Sequence, residues 1–229
     1  MIKLINLEIK KFKLMRYWKG VVGANLGFVI FIGMVYFLNK VEEEIPFDNF
    51  EMASTIISAV VSATFIIFAS VILAKLVIDE YKNKSIDLMF TYPISRKKIM
   101  TAKLIIVMVF TFMTVLFSTL FLQGLVYIMD VTFDILPGDI SIQEFINSMW
   151  KSFFIAFAAA GLSLIPLLIG MLRKSSSATI VSSIFLVTLT SSVSNNFTFS
   201  SVMTVSISLA LLGIVIGWLS IRNVEKTDL

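Results

Sequence analysis

The chain has 229 residues, 58% of them hydrophobic and only 15% charged, with a mean hydropathy of +0.94 and a net charge of +4. An average soluble domain is about a quarter charged, so this composition is that of an integral membrane protein. There is no cysteine and no histidine, which excludes a disulfide framework and thiolate metal sites and argues against metal or His-dependent nucleophilic catalysis. No Gly-rich phosphate loop ending in Gly-Lys-Ser or Gly-Lys-Thr occurs, so nucleotide-driven work is expected from another chain, and the positive balance is assigned to orientation in a bilayer, not to nucleic acid.

Residues 1–19 combine Lys3, Lys10, Lys11, Lys13, Arg16 and Lys19 with Ile2, Ile5, Ile9, Phe12 and Tyr17/Trp18 at helical spacing. This predicts an amphipathic helix in the inner interface. No small-residue cleavage site is evident and more apolar runs follow, so the segment is expected to be retained. The first span is predicted at about 20–38, matching the roughly 20 apolar residues that cross about 30 Å of hydrocarbon. It carries Gly23 and Gly27 in a GxxxG arrangement with Asn25 between them, features that favour close helix approach. An acidic loop with Glu42, Glu43, Glu44, Asp48 and Glu51 follows.

A second span is expected at about 53–78, with Lys75 near its end. The longest polar interruption between apolar runs then extends from Asp79 to Lys103. Ser85 is placed to cap a short helix from about Ile86 to Phe90, Pro93 ends it, and Ser95 caps the next helix. A third span is expected at about 99–127. In the next loop Pro137-Gly138 signals a turn, and Ser141 with Glu144 fits a capping box that starts a helix before Trp150. The fourth span, at about 152–172, has the small residues Ala156, Ala160 and Gly161 and a kink at Pro166. From Ser175 to Ile221 there are 47 residues without a charge, enough for spans at about 176–194 and 202–221, the last carrying Gly213 and Gly217.

The expected fold class is therefore all-α: a single transmembrane domain over 1–229 with six transmembrane helices and an amphipathic N-terminal interface helix. Of the 19 Lys and Arg, 17 lie in the N-terminal segment, the 75–103 region, Arg173/Lys174 and the tail, leaving Lys40 and Lys151 opposite. The positive-inside rule puts both termini in the cytoplasm.

No ionisable residue falls in the middle of an assigned span. That disfavours ion-coupled transport through buried carboxylates, a voltage sensor and intramembrane aspartyl proteolysis. The spans offer hydroxyls instead, concentrated in the fifth. Thr179, Ser183 and Thr190, with the polar break Asn195-Asn196, either serve helix packing or form a mildly polar wall along a path for an amphiphilic solute. The 79–103 stretch is, from its residues alone, either an ordinary cytoplasmic loop or a docking element.

The order Glu80, Ser85, Leu88-Met89, Pro93, Ser95-Arg96 and Lys103, placed between the second and third of six spans, resembles the membrane subunits of ABC exporters of the type-2 permease class. The family pattern is an acidic residue, Gly-Thr, a Leu-Leu pair, Pro-x-Ser-Arg and a downstream Lys; here Lys84 stands for Gly and Ser85 for Thr. The resemblance implies a half-transporter of two permease chains, as homodimer or heterodimer, bound to cytoplasmic ABC ATPase subunits. It also implies that 79–98 is a coupling loop, with Glu80, Tyr81, Ser85, Leu88, Pro93, Ser95, Arg96 and Lys103 as the residues of the ATPase-coupling site. On this reading the chain has no catalytic site, metal or cofactor of its own, ATP-Mg is held by the partner subunit, and a re-entrant turn is expected near 191–201. The expected function is outward export of an amphiphilic substrate, such as an antimicrobial peptide, another peptide or a lipid-like molecule, across a bacterial plasma membrane. The alternative is a membrane scaffold that binds partners through the same loop without moving anything.

Overall fold

The computed structural model describes residues 2–13, 16–42, 49–82, 96–133, 140–192 and 199–222. Helices follow the apolar runs: α1 Ile2–Lys11, α2 Tyr17–Glu42, α3 Phe50–Leu73, α4 Asp79–Lys82, α5 Arg96–Phe133, α6 Ile142–Leu162, α7 Ile165–Arg173, α8 Ser176–Ser192 and α9 Phe199–Arg222. A π-helical turn, Ala74–Ile78, joins α3 to α4 without a break. Among the described residues there is no strand. Four stretches are long and apolar enough to cross a membrane: Tyr17–Phe37, Phe50–Ile78, Lys97–Thr132 and Ile142–Arg173; Ser176–Thr190 and Ile207–Ser220 are shorter apolar helices. The protein is a polytopic all-α membrane protein.

Local chemistry sets several helix ends. Asn49 caps α3, its side chain accepting the Met52 N–H at 2.8 Å, and Ser141 caps α6 by accepting the Gln143 N–H. The helix expected before Trp150 and the first half of the fourth span, expected at 152–172, are one continuous helix, α6. It gives way at Ser163-Leu164, and Pro166 stands in the first turn of α7. There its missing N–H costs nothing, so the proline restarts a helix after a kink. Lys174 turns the chain from α7 into α8 in the left-handed region, at φ 47°.

Two helix contacts bring backbones together. A Cβ built on Gly213 of α9 would lie 2.0 Å from the Gly161 carbonyl oxygen of α6, and one on Gly161 would lie 2.5 Å from Ala210 Cα. A Cβ on Gly170 of α7 would lie 2.1 Å from Thr179 Oγ1 of α8. Gly23 and Gly27, by contrast, meet no atom of this chain within 4 Å. The close approach expected there belongs instead to Gly161 and Gly213, because α2 rests on the bundle only lightly. It is held by Tyr17 edge-on to Phe68 at 5.9 Å and by the Asn25 amide, which donates to Ser118 Oγ at 2.9 Å.

The core has two apolar layers. Phe65, Ile66, Val115, Leu122 and Ala159 fill one, and Leu73, Leu76, Val77, Met100, Val107 and Leu167 fill the other. Ile5, Ile9 and Phe12 of α1 pack against the second layer. The apolar face of the N-terminal helix is thus directed, at least in part, to protein. Charge separates the two ends of the bundle. Lys75, Lys97, Lys98 and Lys174 are exposed at the end that carries α1, while Lys151 pairs with Glu51 at the other.

Candidate coupling site

The turn Ala74–Ile78 is wider than an α-helical turn, and such π segments recur at functional positions inside helices. Leu76, Val77 and Ile78 are almost fully buried. Where it ends, three consecutive residues reach four other helices. The Ile78 side chain lies against Gly170 of α7, Asp79 Oδ1 accepts the Ser176 hydroxyl of α8 at 2.6 Å, and Glu80 turns toward α1 and α5. This segment is the root of the polar stretch identified from sequence, and α5 leaves that stretch at Arg96.

Glu80 is the centre of a buried charge cluster. One carboxylate oxygen accepts from Lys11 Nζ at 2.7 Å, and the other is paired with Lys103 Nζ. Lys103 has no exposed side-chain surface, although it stands in the second turn of a membrane-crossing helix. It is satisfied by Glu80, by the Leu76 carbonyl at 2.7 Å inside the π turn, and by the face of Phe12, 5.4 Å from the ring centroid. A buried ammonium tolerates such a position only when its donors are paired. Lys103 thereby ties the start of α5 to the widened turn before the loop.

Glu8 of α1 is the fourth member. It is only 4% exposed, and its Oε2 has no hydrogen-bond partner among the described residues. Burial pushes the carboxyl above its ordinary range; Lys103 and Lys11 oppose this, and Glu80 adds to it. Two lysines and two carboxylates from α1, α4 and α5 therefore meet where the chain enters and leaves the polar stretch.

Of the residues expected to form the coupling loop, Glu80 and Lys103 are brought into direct contact. Tyr81 lies within α4 and Arg96 opens α5. Ser85, Leu88, Pro93 and Ser95, with the expected short helix at 86–90, lie outside the described residues, as do Asn195 and Asn196. The hydroxyls proposed for a path are engaged with neighbouring helices or their own. Thr179 is buried against Gly170, Ser183 Oγ stands 2.9 Å from Ser70 Oγ of α3, and Thr190 bonds to the Leu186 carbonyl. Among the described residues no group of acidic side chains could hold a metal ion.

Sequence reasoning did not single out Glu8, and counted Lys11 only as one of six basic residues. A signal was present: Glu8 is the single acid in a basic segment, and it sits on the same helical face as Ile5, Ile9 and Phe12. A charge on the buried stripe of an amphipathic helix calls for a partner.

The long polar stretch of this helical bundle is thus rooted on a buried ion pair. The family model described as "ABC-2 family transporter protein" matches residues 4–191. A protein of Bacillus subtilis (strain 168) carrying the name "Uncharacterized protein YcbO" is 40% identical over 225 residues, which is 98% of this chain and 99% of that one. No solved structure matches. The chain belongs to the ABC-2 family of transporter proteins. As such it is a membrane-embedded permease component, which is not itself catalytic and works with an ABC ATPase subunit.

Proposed function

We propose that this chain is the permease subunit of an ATP-driven exporter and moves an amphiphilic substrate, such as an antimicrobial or other peptide or a lipid-like molecule, outward across the bacterial plasma membrane. Two permease chains would work with two separate ATPase subunits that hold ATP-Mg, and the 79–98 loop would be the docking element. The observation that carries this reading is the Glu80–Lys103 pair. It joins the two ends of the polar stretch, so a force applied to the loop reaches α3 and α5 together and is not lost in slack chain. The outward direction is supported by the small outer connections, which leave no room for a substrate-receiving domain. The hydrophobic and weakly polar character of the spans suits an amphiphile better than an ion or a sugar.

The test is purification of the chain from its own host in mild detergent, with mass spectrometry of what remains bound, beside Glu80→Lys. An ATPase retained by the wild-type chain and lost or weakened in the variant is the expected result. No ATPase in either preparation would overturn the transporter reading in favour of a scaffold. An ATPase retained equally by both would remove the coupling role from Glu80.

A further inference from the structure

The charge cluster at Glu80 joins the loop root to α1 and α5, but the residue before it points elsewhere. Asp79 Oδ1 accepts the Ser176 hydroxyl at 2.6 Å, a contact between residues 97 apart in sequence. A hydroxyl donating to a carboxylate is among the stronger and shorter hydrogen bonds. Ser176 is the first residue of α8, so the Asp79 carboxylate also faces the positive end of that helix. Above this contact α8 is held to the same support twice more. Thr179 closes on Gly170, which also touches Ile78, and Ser183 meets Ser70 of α3. Ser176, Thr179 and Ser183 thus form a ladder along one side of α8, and the partner of the lowest rung, Asp79, follows the π turn directly.

We infer that Asp79 is a second positioning residue for coupling, one that carries displacement of the loop root through Ser176 to α8, the helix richest in hydroxyls, in parallel with the route through Glu80 to α1 and α5. This rests on the reading of the chain as an ATPase-driven permease. Because Asp79 and Glu80 follow directly on the π turn, any rotation of that turn moves both carboxylates at once, and α5 and α8 shift in concert. Asp79 has no part in holding the ATPase; it sets what the spans do once the ATPase has closed.

The chain has no cysteine, so one introduced at Phe185, exposed on α8, can carry an environment-sensitive fluorophore at a single position. The complex with its ATPase is reconstituted in lipid vesicles, and emission is recorded with and without a non-hydrolysable ATP analogue. The expected result is a nucleotide-dependent change in the Phe185→Cys background. Adding Asp79→Ala or Ser176→Ala should remove most of that change while the ATPase stays bound. The exchanged pair Asp79→Ser with Ser176→Asp, which can re-form the hydrogen bond in the reverse sense, should restore it. A full change in both alanine variants would overturn the inference, as would a loss that the exchanged pair does not repair or release of the ATPase by either variant. A complex that binds its ATPase but shows no change even without the alanines overturns this inference alone, whereas absence of any bound ATPase overturns the transporter reading with it.

Discussion

Lys11 Nζ donates to Glu80 Oε1 at 2.7 Å, so the N-terminal helix is fastened to the root of the second span across 69 residues of chain. Lys11 is about half exposed, whereas Lys103 on the other oxygen of the same carboxylate is wholly enclosed. The two contacts therefore differ in kind. Exposed ion pairs contribute little because water competes for both partners, whereas breaking an enclosed one strands a charge.

Replacing Lys103 with Met is accordingly expected to destabilise the folded chain by about 3–5 kcal/mol, the usual range when one partner of a buried pair is removed. Lys11→Met should cost about 1 kcal/mol or less. The double variant Glu80→Leu with Lys103→Met should recover much of the loss, since neither member of the pair is then left buried without the other. Thermal unfolding of the purified protein in detergent ranks the three. Equal shifts for Lys11→Met and Lys103→Met would contradict the assignment of Lys103 as the enclosed member.

Glu8 supplies a pH dependence whose sign follows from its burial. Its carboxyl is raised from an ordinary value of 4.5, so the folded state holds the proton at pH values where the unfolded chain has released it. Stability must then fall as pH rises from that ordinary value toward the raised one, and recover as pH is lowered through the same window. The charged groups facing it are Lys11, Glu80 and Lys103. Glu8→Gln, which keeps the shape and removes the titration, should flatten the lower part of the pH profile of thermal unfolding. A profile identical to wild type in that window would show that Glu8 is not enclosed.

The glycines separate into two groups. Gly161→Val or Gly213→Ala places a Cβ far inside van der Waals contact with the facing backbone, at 2.5 and 2.0 Å. Helices α6 and α9 must then separate or fail to pack, and the folded yield should drop sharply on size-exclusion chromatography. Gly23→Ala and Gly27→Ala enter open space within this chain and should leave the fold's stability unchanged or slightly higher, since alanine favours helix over glycine by about 1 kcal/mol. Collapse of the Gly27→Ala protein would mean that α2 is packed far more closely than the structure places it.

The helices could be found from sequence because a bilayer imposes a strong rule: about 20 apolar residues per crossing, with basic residues gathered on one side. Pro166 and Ser141 were equally legible, since a missing donor and a capping hydroxyl act on their own neighbours. The glycine contact was only half legible. Gly23/Gly27 and Gly161, Gly213 all offer small surfaces, and only the three-dimensional arrangement decides which pair is used. Glu80 and Lys103 could be singled out as the ends of a motif, but their union could not, because it depends on two helices converging across 23 residues. The π turn had no signature in Ala74–Ile78 at all. It becomes understandable only with Lys103 in place, whose ammonium binds the Leu76 carbonyl from outside the helix.

The order in which the chain is made gives the cluster one more consequence. Helix α1 is synthesised before its partners, Glu80 on the far side of the second span and Lys103 at the start of the third. Until those spans are inserted, Glu8 and Lys11 lack the charges of Glu80 and Lys103, and the apolar stripe of Ile5, Ile9 and Phe12 lacks the layer it packs against. Helix α1 is therefore obliged to wait at the membrane surface and docks only when the helices that carry Glu80 and Lys103 are in place.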